Sequence, residues 1–251
     1  MSKLPIFESG AVWLVGAGPG DPGLLTLHAV NALKQADVII YDALVNVEVL
    51  EWARPDAEQI KLGKRGGMPS PKQAEITAKL IGFAQAGKRV LRLKGGDPYM
   101  FGRGGEEALA LAAANIPVRV IPGITAGIGG LAYAGIPVTH RDINQSVTFL
   151  TGHDHRGLTP GRIDWAAIAK GSGMIVMYMA VKHIGEIATA LIAAGRPADD
   201  PVTVVKNATM PDMQVLETTL ENAARDIAKS GIGSPAIISI GRGNLLRKDL
   251  T

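Results

Sequence analysis

The chain has 251 residues, of which 47% are apolar, and its formal net charge at pH 7 is +3. This length can bury a sizeable hydrophobic core and fits two domains of ordinary size. Cysteine is absent, which excludes disulfides, thiolate catalysis, iron–sulfur clusters and cysteine-ligated zinc. The charge is small and no long basic tail or aromatic-interleaved basic patch accompanies it, so we expect an anionic small-molecule ligand and no nucleic acid.

The sequence also bears on cellular location. It contains no run of 18 or more uncharged apolar residues, and Lys3, Pro5 and Glu8 stand where a signal peptide would need an apolar core. We therefore expect a cytoplasmic protein without membrane association.

The first half of the chain alternates apolar, β-branched runs with segments of helical periodicity. One predicted helix opens on Pro71 and ends before Gly87, the usual asymmetry of helix starts and stops. This alternation predicts a mostly parallel sheet covered by helices on both faces. The predicted strands are 12–15, 38–41, 59–62, 89–93 and 118–121, and the predicted helical segments are 25–36, 47–53, 71–86 and 104–114.

The pattern breaks into a polar segment at 135–142, and we place a domain boundary there. It separates an N-terminal α/β domain, 1–138, from a C-terminal α/β domain, 139–251. The predicted strands 202–206 and 213–219 are joined by a short turn, so they must pair antiparallel and the second sheet should be mixed. The other predicted elements of this domain are strands 146–151, 174–178 and 236–240 and helices 164–170, 181–194 and 221–229.

The segment 92–107 is the most informative part of the sequence. An apolar strand leads through a Gly-rich loop that contains Asp97 into a helix start that carries Arg103 and two glutamates. Strand, turn and helix in this order place backbone amides, a carboxylate and a guanidinium around one opening, as ligand sites in open α/β sheets do. The basic residues of 61–65 and 88–94 suit an anionic ligand or, equally, solvated strand edges.

A second Gly-rich loop, 16–23, invites comparison with dinucleotide-binding loops. Asp21 stands where that fingerprint needs Gly or Ala, and its charge would repel a pyrophosphate. Pro19 also removes an amide from the loop. We therefore reject a nicotinamide or flavin site, while a tight strand-to-helix turn stays open as the role of some of these glycines.

Five motifs occur together in a fixed order. They are Val15–Pro22, Leu93–Pro98, Phe101–Glu107, Pro122–Ala126 and Thr139–Asp142. With them the chain resembles the tetrapyrrole methylases from Ala11 to about Arg242. The resemblance implies two α/β domains with S-adenosylmethionine bound in the cleft between them, and a homodimer.

The resemblance also implies an activity. By this resemblance we expect transfer of two methyl groups from S-adenosylmethionine to ring carbons of uroporphyrinogen III, a tetrapyrrole, giving precorrin-2 and S-adenosylhomocysteine. A sulfonium needs no metal or covalent catalyst, because its thioether is already a good leaving group and the protein has only to align donor and acceptor. The absence of cysteine is therefore compatible with methyl transfer.

Nine residues are assigned to the methyl donor by this resemblance. Asp97 is suited to accept hydrogen bonds from the donor, and glycines without Cβ allow close approach. Core packing is the alternative role for the two methionines. Relatives often carry Gly in the segment 205–209, where this chain has Ala208. We expect this Ala to have little effect on donor binding, because the contact with the donor should be made by the backbone. The nine are Pro19, Gly95, Gly96, Asp97, Met100, Thr125, Ala126, Met179 and Ala208.

The substrate carries carboxylates around its rim and pyrrole N–H donors inside, so its site needs basic residues and an acceptor. The resemblance assigns Arg103, Arg141 and His153 to substrate carboxylates and Glu106 to the macrocycle. A favourable charge at a helix N-terminus is the alternative role for Glu106 and its neighbour Glu107.

Methylating a ring carbon requires loss of a proton elsewhere on the macrocycle. The resemblance assigns Asp42 as proton acceptor and Lys64 as proton donor and gives Arg103 a part in catalysis. Each of the first two follows a predicted strand, but a turn-capping Asp and a solvated Lys remain alternatives. His153 and His155 alternate like one strand face, yet no third ligand is visible, so we expect no metal.

Other functions stay open. A methylase of the same fold could act on a later corrin intermediate or on a modified protein histidine, although the motifs at 102–107 and 139–142 favour the first methylation step. A non-catalytic binding protein would give Asp97, Arg103 and Lys64 no purpose. Because Gly16 lies so near the start, we expect no dehydrogenase or chelatase domain before the methylase.

Overall fold

The computed structural model describes residues 4–62, 73–154 and 157–251. It divides into two compact units, Met1–Thr125 and Ala126–Thr251, each with one five-stranded sheet. The division lies earlier in the chain than the predicted boundary at 138/139. The reason is a helix at 126–133 whose Leu131 packs in one apolar cluster with Met174 of the second sheet.

The first unit is built on a parallel sheet. Its strand order is β3-β2-β4-β1-β5, and every neighbouring pair is parallel, which confirms the predicted fold class. The segment predicted as helical at 47–53 is a 3₁₀ helix, Val47–Trp52, and a second 3₁₀ helix spans Pro22–Leu24. The strands are β1 (Val12–Gly16), β2 (Val38–Asp42), β3 (Glu58–Leu62), β4 (Val90–Lys94) and β5 (Val118–Ile121), and the helices are α1 (Leu27–Gln35), α2 (Gln73–Gln85) and α3 (Gly104–Ala113).

Alternate residues of the central strands enter two apolar layers. Leu91 and Leu93 of β4 pack with Leu33 of α1 on one face, and Val90 packs with Leu80 of α2 and Leu111 of α3 on the other. Both faces of the sheet are therefore covered by helices, as parallel sheets require.

The second unit has a mixed sheet of order β6-β7-β10-β8-β9. Only β6 and β7 pair in parallel, and the antiparallel pairing of β8 with β9 is as predicted. Strand directions place the carboxyl ends of β6, β7 and β8 at one edge of the sheet. The elements are α4 (Ala126–Tyr133), β6 (Val147–Thr151), α5 (Trp165–Gly171), β7 (Met174–Tyr178), α6 (Ile184–Ala193), β8 (Pro201–Lys206), β9 (Gln214–Thr219), α7 (Ala223–Ser230), β10 (Ala236–Ile240) and α8 (Arg247–Leu250).

Helix α4 was not predicted from the sequence, because three of its eight residues are Gly, which disfavours a helix. Helix α6 begins later than expected, since 181–183 form a 3₁₀ helix. Within the described part of the chain, none of the helices has the length and apolar character that a membrane span requires.

Candidate active site

Three glycine backbones meet at the carboxyl ends of β1, β4 and β5. A Cβ built on Gly123 would lie 2.2 Å from the carbonyl oxygen of Gly96 and 2.7 Å from the Cα of Gly16. Gly18 and Gly96 exchange two backbone hydrogen bonds, of 3.2 and 2.7 Å, and both adopt left-handed φ angles. These glycines are needed because the loops pack backbone against backbone, with no space for a side chain.

Asp97 joins two of these loops. One of its carboxylate oxygens accepts a hydrogen bond of 2.8 Å from the amide of Tyr99, and the other accepts a bond of 3.0 Å from the amide of Gly123. A carboxylate has further lone pairs, so both contacts leave it able to accept from a ligand. The side chain of Asp97 is half-buried.

The other predicted donor residues of the first unit lie close by in the chain. Pro19 and Met100 are half-buried, and Thr125 is buried. Asp21 caps the 3₁₀ helix by accepting from the amide of Gly23 at 2.7 Å, and the α-helix starts only at Leu27. The first Gly-rich loop thus lacks the direct strand-to-helix turn of a dinucleotide site.

Asp42, at the end of β2, belongs to a network of charged side chains. Its carboxylate forms ion pairs with Arg92 and with Lys94, whose Nζ lies 3.4 Å from Oδ2. Arg92 and Lys94 also pair with Glu107, at 3.1 and 3.4 Å. Gln73 adds a 2.9 Å hydrogen bond to the same glutamate. Two cations and two carboxylates are therefore neutralised within the first unit.

The strand pattern explains why these charges meet. Side chains point to one face at every second residue, so Val90, Arg92 and Lys94 share the face of β4 that α2 and α3 cover. On β2, Ile40 and Asp42 follow one another on that same face. This face thus changes from apolar to charged toward the carboxyl edge of the sheet. The sequence alternatives for Arg92 and Lys94, an external anion or solvated strand edges, are both wrong, because both side chains are buried against internal carboxylates.

Glu107 was not predicted as a site residue. The only role considered from the sequence was a favourable charge at a helix N-terminus, yet its side chain is completely buried. The buried residues of α3 are Gly104, Glu107 and Leu111, and this spacing marks one face of a helix. A charged residue at a core-facing helical position was the available signal.

Arg103 and Glu106 lie on the surface, paired with each other. The guanidinium of Arg103 donates two hydrogen bonds to the carboxylate of Glu106, of 3.0 and 2.7 Å, and both side chains are more than half exposed. The bond lowers the pKa of Glu106 and raises the pKa of Arg103. Arg103 has a left-handed φ of 59°. Gly102 and Gly104 flank it, and a Cβ on either would approach the carbonyl oxygen of Pro98 to 2.9 or 2.4 Å.

In the second unit, the segments after β6, β7 and β8 carry further predicted residues. Met179 is 40% exposed, so core packing is not its role, and its φ of 55° is left-handed. Asn207 and Thr209, which flank Ala208, are left-handed as well. A β-branched residue in this conformation is strained, and such strain concentrates at ligand sites.

Helix α4 contacts two of these segments. The amide of Gly127, next to Ala126, donates a 2.9 Å hydrogen bond to the hydroxyl of Tyr178. Gly130 faces Ala208, and a Cβ on Gly130 would lie 2.5 Å from that of Ala208. The structure therefore gathers Ala126, Met179 and Ala208 at one end of the second sheet.

Two further predicted residues, Arg141 and His153, lie in other loops of the second unit. Arg141 is exposed, in a loop held by a 2.7 Å hydrogen bond from the buried Asn144 to the carbonyl of Val138. His153 is half-buried, with its Nδ1 2.9 Å from the carbonyl oxygen of Asp154. Lys64 and His155 lie outside the described residues. The described residues hold no cluster of His, Asp or Glu suited to a metal ion.

Comparisons with known proteins agree on one family. The family model of tetrapyrrole (corrin/porphyrin) methylases matches residues 11–224. A uroporphyrinogen-III C-methyltransferase from Sinorhizobium sp is 63% identical over 98% of this chain and 88% of its own. A siroheme synthase from Zymomonas mobilis is 49% identical over 97% of this chain, which spans only 51% of that relative.

A solved structure of a uroporphyrin-III C-methyltransferase also resembles this chain. The crystal structure of uroporphyrin-III C-methyltransferase from Thermus thermophilus, complexed with S-adenyl homocysteine, has a TM-score of 0.81 and 38% sequence identity, and the match covers 93% of this chain and 98% of that one. The agreement therefore extends over nearly all of this chain and includes a relative complexed with S-adenyl homocysteine.

Proposed function

The chain belongs to the tetrapyrrole (corrin/porphyrin) methylases, and from this premise we propose that it transfers two methyl groups from S-adenosylmethionine to uroporphyrinogen III, giving precorrin-2. The observation that carries the proposal is the 63% identity, over nearly the full length of both chains, to a uroporphyrinogen-III C-methyltransferase. This identity also favours the first methylation step over a later corrin intermediate.

The residues fit a nucleoside methyl donor. Backbone packs against backbone at Gly16, Gly96 and Gly123, beside the carboxylate of Asp97, which keeps lone pairs for hydroxyl or amino groups of a donor. When bound, the donor supplies an electrophilic methyl group on a sulfonium, and the thioether leaves as a neutral product. We assign its binding to Pro19, Gly95, Gly96, Asp97, Met100, Thr125, Ala126, Met179 and Ala208.

The charged residues suit the tetrapyrrole. Arg103 presents a planar fork at the surface, which matches a substrate carboxylate in two-point geometry. A substrate carboxylate would replace Glu106 on this fork and leave Glu106 available to the pyrrole N–H groups. We assign Arg141 and His153 to other carboxylates of the substrate.

Asp42 is our candidate for the base. A ring carbon that takes the methyl group from the sulfonium leaves the macrocycle with one positive charge. Loss of a proton to a base removes this charge, because the electrons of the broken bond to hydrogen stay on the macrocycle. Asp42 is 30% exposed at the carboxyl edge of the first sheet, where ligand sites of parallel sheets lie. Lys64 remains the proposed acid.

The test is anaerobic incubation of the purified chain with methyl-labelled S-adenosylmethionine and uroporphyrinogen III. We expect a doubly methylated product by mass spectrometry, and Asp42→Asn should lose it while still binding the donor in calorimetry. Absence of any methylated product with the unaltered chain would overturn the proposal. If a later corrin intermediate, supplied in place of uroporphyrinogen III, is methylated while uroporphyrinogen III is not, the alternative step is supported.

We also propose a cytoplasmic homodimer that binds no nucleic acid. These proposals rest on the family resemblance and on the mild net charge of +3. Light scattering after size-exclusion chromatography tests the dimer, and a single-chain mass at micromolar concentration would contradict it.

A further inference from the structure

The network around Asp42 contains a second carboxylate that the proposed reaction does not use. Glu107 is completely buried, and the side chains of Arg92 and Lys94 are only 2% and 3% exposed, whereas that of Asp42 is 30% exposed. Among these four groups, only Asp42 is accessible to a substrate to any extent. Among the partners of Glu107 described above, Arg92 and Lys94 are the two that also contact Asp42, so Glu107 can influence Asp42 through these cations.

Arg92 connects the two carboxylates geometrically. Its Nε donates to Glu107 at 3.1 Å, its Nη1 donates to the carbonyl of Ile40 at 3.4 Å, and its Nη2 donates to Asp42. A guanidinium is planar and rigid, so fixing two of its nitrogens fixes the direction of the third. The contact with Glu107 thus orients the contact with Asp42.

Lys94 connects the same carboxylates through charge. Its Nζ lies 3.4 Å from Asp42 and 3.4 Å from Glu107. Two buried cations beside Asp42 alone would leave one positive charge unpaired, which is costly where water is excluded. Glu107 supplies the missing negative charge from a core-facing position on α3.

The charge balance between the two cations and the two carboxylates matters most when Asp42 changes its charge. A proton that moves from the macrocycle to the Asp42 carboxylate makes that group neutral, while the bonding electrons stay on the macrocycle. Glu107 then remains the one carboxylate of the network that holds Arg92 and Lys94. Two methyl transfers require Asp42 to take up and release a proton twice, so its position must be restored after each.

We propose that Glu107 is a positioning residue that acts through Arg92 and Lys94 to hold the Asp42 carboxylate in place through both proton transfers. This inference rests on the proposed function, in which Asp42 accepts the proton. Glu107 touches neither substrate nor donor, so its effect should appear in turnover and not in donor binding.

The experiment uses charge compensation. Glu107→Gln leaves the network with one excess positive charge, Lys94→Met leaves one excess negative charge, and the double variant is neutral. Gln at position 107 retains an oxygen that can accept from Arg92. We expect turnover to fall about tenfold in each single variant. The double variant should be at least about threefold faster than either single variant, because charges in contact have non-additive effects.

Turnover is counted per donor-binding site in calorimetry, so that unfolded protein does not enter the rate. Donor affinity should match the unaltered chain in all three variants. Asp200→Asn is the matched control: it breaks the buried pair of Arg196 and Asp200, 2.5 Å apart in the second unit. It should lower the melting temperature and leave turnover per site unchanged.

The outcomes separate the inference from the proposed function. A double variant no faster than Lys94→Met overturns the role of Glu107, and this comparison holds even if Glu107→Gln fails to fold. Wild-type turnover in Asp42→Asn would overturn both that role and the assignment of Asp42 as base. Loss of turnover in Asp42→Asn with no recovery in the double variant would overturn only the role of Glu107.

Discussion

Replacing Gly123 by Ala should disrupt the loops of the first unit. The new Cβ would lie 2.2 Å from the carbonyl oxygen of Gly96, whereas ordinary contact begins at 3.4 Å, so these backbones must separate by the difference of about 1.2 Å. The neighbouring atoms are backbone and cannot rotate away. We expect a loss in the free energy of unfolding of about 3 kcal/mol, the upper part of the range for overpacking, and a melting temperature lower by about 6 to 12 °C.

The same displacement should weaken donor binding. Asp97 bonds to the amide of Gly123, so a shift of this size moves a carboxylate that we assign to the donor. Loss of one charge-assisted hydrogen bond of about 1.5 kcal/mol or more corresponds to at least about a tenfold weaker affinity in calorimetry.

Gly82→Ala is the matched control for this substitution. Gly82 lies in α2, and a Cβ there would meet no atom within 4 Å, so Ala should stabilise the chain by about 0.5 to 1 kcal/mol without changing donor affinity. If Gly123→Ala matches the unaltered chain in both melting temperature and donor affinity, the backbone packing of the three glycines does not determine the loop geometry.

Three further predictions concern charged groups. Arg103→Lys keeps the charge but loses the planar fork, so turnover should fall by about a hundredfold while donor affinity stays unchanged; normal methylation would remove Arg103 from the substrate site. Asp97→Ala should weaken donor binding by about tenfold in calorimetry, and unchanged affinity would leave Asp97 a turn residue only. The hydrogen bond from Arg89, against the opposing effect of burial, lowers the pKa of Asp37 from 3.8 to about 2, so its contribution to stability is present above about pH 4 and is lost as the pH falls toward 2. Because Asp37 is partly exposed, that contribution should be about 1 kcal/mol, and the difference in unfolding free energy between the unaltered chain and Asp37→Asn should shrink as the pH falls through about 2.

The sequence predicted most of the fold because strands and helices alternate clearly along it. Most strands are apolar, β-branched runs and the helices carry recognisable ends, so all ten strands of the described chain were expected. The helix at 126–133 was missed because three of its eight residues are Gly and its stability comes from packing Leu131 on the second sheet. Tertiary contacts, which no local pattern records, decide such a segment.

The candidate site was predicted by resemblance more than by pattern. Local sequence gave no reason to pair Asp42 with Arg92, since they lie on neighbouring strands far apart in the chain. The resemblance likewise assigned Arg103 and Glu106 to a ligand without showing that each is the other's partner in this structure. Ion pairs between strands, such as that of Asp42 with Arg92, depend on which strands are neighbours, and strand order is a property of the whole fold.

The contact between Gly130 and Ala208 has a consequence for the evolution of these chains. Space exists for one methyl group between the two positions, and in this chain Ala208 occupies it. Relatives with Gly at the position of Ala208 can therefore accept Ala at the position of Gly130, while Ala at both should be rare. The two sites should change together, although 78 positions separate them in the sequence, because pairs in contact tend to covary.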